Sequence, residues 1–420
     1  MFKVKSLGIT GSLLVFCMSC VGMVIDNRYF PLFPKPYLRT QDKPSRFAVD
    51  VFFMMSDKGY SDNEDEVGLP EIWGKYNQGA LSRWMIAAGF TSPLLDEWRA
   101  FDIKWRMDGK LQAQGISLTY DQALSERFSV GGSCLFMRLH TWHDFLYEHD
   151  VSLRLNAADR VELDEIRRRM HQEIGLSEPC ARQAGFGDVD LYVRYGWLCD
   201  YSYKFRRIDA GLKFGMLIPT GCTRDQDNPA SLPFGGDGFW GVYGSAEGMF
   251  ELKEDLVAGL SVRVSKRFAK DRMMRMPLVI SNEPSHKLES SALYGVVKVP
   301  VRFSPGATFM VSPYVAFENL RAGLGANARY TLVIHDYDDI EDKRAAGERD
   351  LRLPLQILEK KTCWASDYIS LTVFYDFGKV SVEEGMSPTV GLTWDIPVAL
   401  LKSYNMSKTH KVTLGLELHF

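Results

Sequence analysis

What the chain has little of narrows its class before any motif is read. It lacks an excess of either charge: 50 basic residues stand against 53 acidic ones, a formal net of −3. A nucleic-acid binder would show a basic excess or stripe, so no nucleic-acid partner is expected. Beyond Val24 there is no second apolar run of the roughly 20 residues that a membrane helix needs. Together with a mean hydropathy of −0.15, that excludes a bundle of membrane helices. It leaves a membrane barrel open, because lipid-facing and lumen-facing residues alternate there and cancel in any average. Paired cysteines are missing as well. Of the seven in the chain, Cys134, Cys180, Cys199, Cys222 and Cys363 follow the N-terminal apolar run, scattered and without zinc-site spacing. Cys180 and Cys222 fall in expected outer loops, where a bridge and two free thiols are both open. No G-x-S-x-G elbow and no H-E-x-x-H is present. No catalytic residue, metal site or cofactor is therefore assigned, and the chain is not read as an enzyme.

The N-terminus carries a signal of its own. Lys3 and Lys5 precede an apolar run from Leu7 to Val24 with small residues near 19–22. That is the layout of a secretory signal peptide over residues 1–24. A membrane anchor is the alternative. A lipidated Cys20 is another, although Cys17 stands where such a site usually has Leu. Residues 25–45 read as an extension without an evident plug, and 46–420 as one barrel domain.

Most of the remaining chain alternates with period two. In 101–107, Phe101, Ile103, Trp105 and Met107 share one face, and Asp102, Lys104 and Arg106 share the other. In 188–197, Val189, Leu191, Val193, Tyr195 and Trp197 alternate with Asp188, Asp190, Tyr192 and Arg194. Segments beginning near Phe47, Ala80, Leu111, Phe128, Ile208, Gly238, Ala258, Leu293, Phe309, Gly325, Tyr368, Thr389 and Val412 behave likewise. Such alternation marks strands with one apolar and one polar face. Roughly 15 strands of wall-crossing length result. Short turns fit 122–126, 200–204, 253–255 and 304–307; long loops fit 57–78, 143–185, 219–237 and 269–291. The last third falls out of this short–long rhythm. An extra strand near 351–358 restores the phase, giving a closed antiparallel transmembrane barrel of about 16 strands, with about 14 as the alternative.

One segment is not β. Over 156–175, Val161, Ile166, Met170 and Ile174 recur at helical spacing, with Asn156 placed to cap the start and Gly175 the end. This predicts a helical insertion in the longest outer loop, packed on the rim or folded over the mouth. His140, His143 and His149 cluster nearby, but on an extended strand they point apart. The acidic run 336–342 lacks the spacing of a calcium loop and reads as solvated.

Charges of both signs recur inside the strands. Asp102, Lys104, Arg106, Asp188, Asp190, Arg194, Asp209, Lys213, Arg263, Arg267, Lys298, Arg302, Arg329, Asp376 and Glu417 are the candidate pore-lining residues. A hydrated lumen accepts them at low desolvation cost, where a packed core would not. They either select permeants by charge or pair with each other and stiffen the wall.

Two stretches carry a resemblance. The ending VTLGLELHF (412–420), with terminal Phe420, resembles the last strand of Gram-negative outer-membrane proteins. GFGDVDLYVRY (185–195) resembles the G-x-G-D-x-x-L strand opening of outer-membrane channels of the phenol-degradation type and, more loosely, of the FadL type. The resemblance implies location in the bacterial outer membrane, contact with its lipid, insertion by the barrel-assembly machinery, and a small-molecule permeant. The expected function is a channel or passive transporter for small solutes, hydrophobic or anionic. A non-conducting surface barrel for adhesion or scaffolding is the first alternative, an outer-membrane barrel enzyme the second.

Overall fold

A computed structural model describes residues 26–34, 44–148, 155–200, 207–280, 288–380 and 387–420. The expected leader and His149 lie outside them. Twelve strands form the wall: β1 (Ser45–Ser56), β2 (Lys104–Ala123), β3 (Phe128–Tyr147), β4 (Val189–Asp200), β5 (Arg207–Ile218), β6 (Gly241–Lys253), β7 (Leu256–Arg267), β8 (Ala307–Arg321), β9 (Leu324–His335), β10 (Trp364–Asp376), β11 (Ser387–Val398) and β12 (His410–His419). Every neighbouring pair is antiparallel, and β1 closes the ring by pairing with both β12 and β2. In that register Val49 faces Leu416 on one side and Leu118 on the other. A segment collinear with β4, Cys180–Phe186, continues the pairing along the upper part of β3. Closure leaves no unpaired edge, which is what a bilayer demands of a β structure.

The strand count corrects the expectation of 16 or 14. Four segments that alternate in sequence are not separate wall strands. Residues 104–107, from the segment expected at 101–107, and the segment from 111 onward belong to one long strand, β2. The segment at Ala80 is helix α1 (Gln78–Ala87), and the segment expected near 351–358 is covered in part by helix α3 (Leu355–Thr362). The segment after Leu293 forms Val297–Ser304, which joins Lys270–Met276 and Asp339–Asp342 in a small outer sheet. That last misplacement also explains the lost rhythm. The split of β2 and the Ala80 segment add two strands and keep the phase; Val297–Ser304 adds one and inverts it. With it removed, 304–307 is no inner turn, 321–324 becomes one, and 336–363 becomes an outer loop.

Both the first and last strands meet at one end, where Phe420 N–H and Ser45 N–H each donate to the other's carbonyl at 3.0 Å. The short turns share that end, and the long loops gather at the other. The expected loop helix is α2 (Ala157–Glu173). Asn156 accepts from Asp159 N–H at 3.0 Å, and the Asp159 carboxylate accepts from Asn156 N–H at 2.8 Å. This reciprocal cap satisfies two backbone donors that a helix start leaves free. Gly175 follows with φ of 71°, a left-handed turn that glycine adopts without strain. The buried face differs slightly from the expected one. Leu163, Ile166 and Met170 are buried, whereas Val161 is 73% exposed.

The wall has two zones of opposite polarity. From Ile116 downward along β2, Ile116, Leu118 and Tyr120 face out while Ser117 and Asp121 are buried inside. From Gln114 upward, Trp105, Met107 and Leu111 are buried inside while Lys104, Arg106, Lys110, Gln112 and Gln114 are exposed outside. On β3 the switch falls between Phe136 and Arg138, which pair with Ile116 and Gln114. One horizontal line therefore crosses both strands. Below it runs an exposed apolar belt that includes Val193, Phe214, Leu371, Leu392 and Leu414. An apolar band around a closed antiparallel barrel is the lipid-facing surface of an outer-membrane protein. Above it, the strands project into water and enclose a core of the soluble kind. Trp84 and Met85 of α1, Leu163 and Met170 of α2, Trp105, Leu278 and Tyr294 pack there together.

Candidate functional site

Inside the belt, charges meet in pairs. Arg194 donates to Asp209 at 2.7 Å and to Glu247 at 2.5 Å, and Lys213 reaches the other Glu247 oxygen at 3.0 Å. The network links β4, β5 and β6. It needs two glycines: a β-carbon at Gly196 or Gly211 would stand 2.3 or 2.6 Å from the Arg194 guanidinium. Asp190 accepts from Tyr243 at 2.7 Å and from Arg263 at 3.3 Å. Arg46 meets Asp121 at 3.1 Å, and Lys411 meets Asp395 at 2.9 Å. Buried charges persist when each finds a partner and its remaining hydrogen bonds.

The candidate lining residues divide by zone. Asp190, Arg194, Asp209, Lys213, Arg263, Arg267, Arg329 and Glu417 point inward from the wall. Asp188 is fully buried at the break before β4, accepting from Gly236 N–H at 2.7 Å and paired with Arg267 at 2.7 Å. The others are elsewhere. Lys104 and Arg106 point outward because they stand above the polarity switch. Asp102 precedes β2 and accepts from Asn77 at 2.8 Å and Arg83 at 3.2 Å. Lys298 and Arg302 belong to the outer sheet, bound to Asp227 at 2.6 Å and Asp271 at 3.4 Å. Asp376 caps the turn after β10, accepting from Gly378 N–H at 2.9 Å. Arg46, Asp121, Glu247, Asp395 and Lys411 are wall charges that the sequence reading passed over. Their signal was available, since period two places Glu247 on the face of Tyr243 and Met249.

The interior also holds a stretch of chain. Residues 26–34 precede the first strand and are nearly all buried within the ring, contrary to an N-terminal extension without a plug. Wall side chains hold their carbonyls: Lys411 donates to Pro31 O at 2.6 Å and Arg329 to Pro34 O at 3.1 Å. At the upper end, Asp26 is paired with Arg267. Burial alone would raise the Asp26 carboxyl; the guanidinium beside it holds it below the ordinary carboxylate value. Phe30 and Leu32 pack against Phe52, Met54, Leu111, Leu135 and the inward-folded Phe234. The segment carries no regular structure, so its placement was invisible to periodicity.

Above its tip lies a cavity of about 200 Å³. Asp26, Arg28 and Tyr29 form one side, and Arg224, Asp237, Phe239, Arg272, Met274, Phe303, His335 and Asp338 are among its other walls. Its acids are engaged. Asp237 binds Arg272 at 2.6 Å, and Asp338 meets His335 at 2.9 Å while accepting from Gly306 N–H at 2.7 Å. Arg28 lies over the Trp73 ring at 4.4 Å and donates to the carbonyls of Lys361 and Thr362, at 3.0 and 2.6 Å. Burial pushes the guanidinium pKa of both Arg28 and Arg224 below its ordinary value.

Among the described residues no cluster of metal-ligating side chains occurs. His140 and His143 lie on opposite faces of β3; His143 meets Tyr294 at 2.9 Å. The five described cysteines are free, so Cys180 and Cys222 are not bridged.

No protein-family model matches the sequence, and no curated protein matches it. Several solved structures share the outline of the chain at low identity. One is an outer-membrane channel, COG4313, from Pseudomonas putida F1: TM-score 0.49, 10% identity, covering 92% of this chain and 99% of that one. The translocator domain of the autotransporter NalP from Neisseria meningitidis gives 0.34 at 8% identity, over 90% of each chain. A FadL homologue from Pseudomonas aeruginosa gives 0.32 at 9%, again over 90% of each.

Proposed function

We propose that the chain is a bacterial outer-membrane channel for small solutes, gated by its own N-terminal segment. The observation that carries this reading is the extended stretch 26–34 inside a closed, charge-lined wall. A ring of about eight strands is filled by its own side chains, and one of sixteen or more leaves an open aqueous bore. Twelve strands leave room for side chains plus one segment of chain. That segment is held by hydrogen bonds to its carbonyls, by apolar packing and, among the described residues, by one ion pair, Asp26 with Arg267, rather than by a folded plug domain, so it can be displaced as a unit. The paired charges below it keep the wall hydrated and rigid once it moves.

The test is solute flux. Liposomes containing the folded protein should swell faster than empty ones in an isosmotic solution of a small permeant, and faster still with residues 26–34 deleted. Protein shown to be inserted, with no flux from either form, would contradict the proposal. The second reading, a non-conducting surface barrel, draws on the soluble-type core built around α1 and α2. It predicts that silent outcome.

A further inference from the structure

The cavity above the N-terminal segment holds two arginines that form no ion pair among the described residues. Five arginines line it: Arg28, Arg224, Arg267, Arg272 and Arg275. Three are neutralised, Arg267 by Asp26 and Asp188, Arg272 by Asp237, and Arg275 by Asp227. The other two form no ion pair among the described residues. Arg28 spends its hydrogen bonds on neutral carbonyls and has no carboxylate at ion-pair distance among the described residues. Arg224 makes no side-chain hydrogen bond or ion pair among them, and its Nε is buried without a partner. Arg28 is buried and Arg224 half-buried; a buried donor without a partner is costly, and an anion between the two would satisfy it. Trp73, Phe239, Met274, Phe303 and Ile340 supply apolar and aromatic wall, beside Asp237, which is held by Arg272, and Asp338, which is held by His335 and the Gly306 N–H.

We propose that this cavity binds a small organic anion, a carboxylate on an aromatic or short aliphatic body, with Arg28 and Arg224 taking the charge and Trp73 and Phe239 the body. The volume of about 200 Å³ lies below the range of drug-sized sites, which begins near 300 Å³, so the occupant is small. This deepens the channel reading and rests on it, because Asp26, Arg28 and Tyr29 of the gating segment form one wall of the site. An occupant there contacts the segment that must move.

Benzoate and its uncharged counterpart benzamide are suitable probes, titrated into the folded full chain in detergent and followed by calorimetry. Benzoate should bind about tenfold or more tighter than benzamide, the size expected of a charge-assisted hydrogen bond. Arg224→Gln should abolish that preference and leave benzamide unchanged, and Arg224→Lys should restore part of it. Should Arg224→Gln fail to fold, the Lys variant alone decides, by weakening benzoate but not benzamide. Equal binding of the two probes, no binding of benzoate, or full preference retained in folded Arg224→Gln would overturn the site. Liposome flux separates the two claims. Flux without benzoate binding removes the site and keeps the channel; benzoate binding without flux does the reverse.

Discussion

The two ends of β2 obey the same alternation and mean opposite things. Below Ile116 the strand turns its apolar side chains to lipid and its polar ones inward; above Gln114 it turns Trp105, Met107 and Leu111 inward and its charges to water. Period two reports a strand with two unlike faces. Which face is inside depends on the solvent outside, and that is a property of height above the membrane. The lower zone is an inside-out protein held by buried ion pairs. The upper zone is an ordinary water-soluble core grown on the same strands.

Substitutions can break that comparison or sharpen it. The largest effects come from the interior of each zone. Trp84→Ala removes a fully buried side chain of the upper core and should cost that core about 3–5 kcal/mol. Arg194→Met leaves Asp209 and Glu247 short of their cation and should cost the barrel about 3–5 kcal/mol. Urea unfolding followed by tryptophan emission reads the first, and heat-dependent gel mobility reads the second. If Trp84→Ala also abolishes the heat-resistant gel form, the zones are one cooperative unit and the division fails.

The next test uses one change at two heights. Phe214→Arg places a charge in the apolar belt, at a side chain now 65% exposed, and should destabilise the inserted barrel by about 2–4 kcal/mol. Gln112→Arg, above the switch and already facing water, should stay within about 0.5 kcal/mol. Equal penalties would mean that the membrane line is misplaced.

Acid should act on the upper zone first. His171 of α2 is buried against Tyr76 Oη at 2.8 Å and stacked on Tyr294. Burial pushes its pKa well below the ordinary imidazole value, and nearby Arg167 adds to the shift. Its neutral form is therefore the folded form. The stability tied to it is complete above the unfolded pKa of about 6.5 and is lost progressively as the pH falls below that. Tryptophan emission of the upper core should shift between neutral and mildly acidic buffer, with a smaller shift in His171→Gln. A shift of the same size in both would remove His171 as the cause. The smallest effect is expected from Asn156→Ala, which removes the α2 cap for about 1 kcal/mol and should speed amide exchange in that helix alone.

Legibility followed the same division. The wall strands of the lower zone, the closing strand ending in Phe420 and the capped helix were readable, because each has a periodic or capping signature. Lys104 and Arg106 were placed inside because alternation carries no sign. Val297–Ser304 was counted as wall because an outer-sheet strand alternates as a wall strand does. Residues 26–34 were passed over because an extended segment held through its carbonyls leaves almost no trace in side-chain pattern. Arg28 and Arg224 sit on irregular chain and were missed for the same reason.

The most direct measurement is single-channel conductance in a planar bilayer, for the folded chain and for the same chain lacking residues 26–34. A segment-gated channel predicts small or intermittent steps from the first and larger, stable steps from the second. Equal conductance in both forms, with insertion shown for each, would mean that the segment does not close the path.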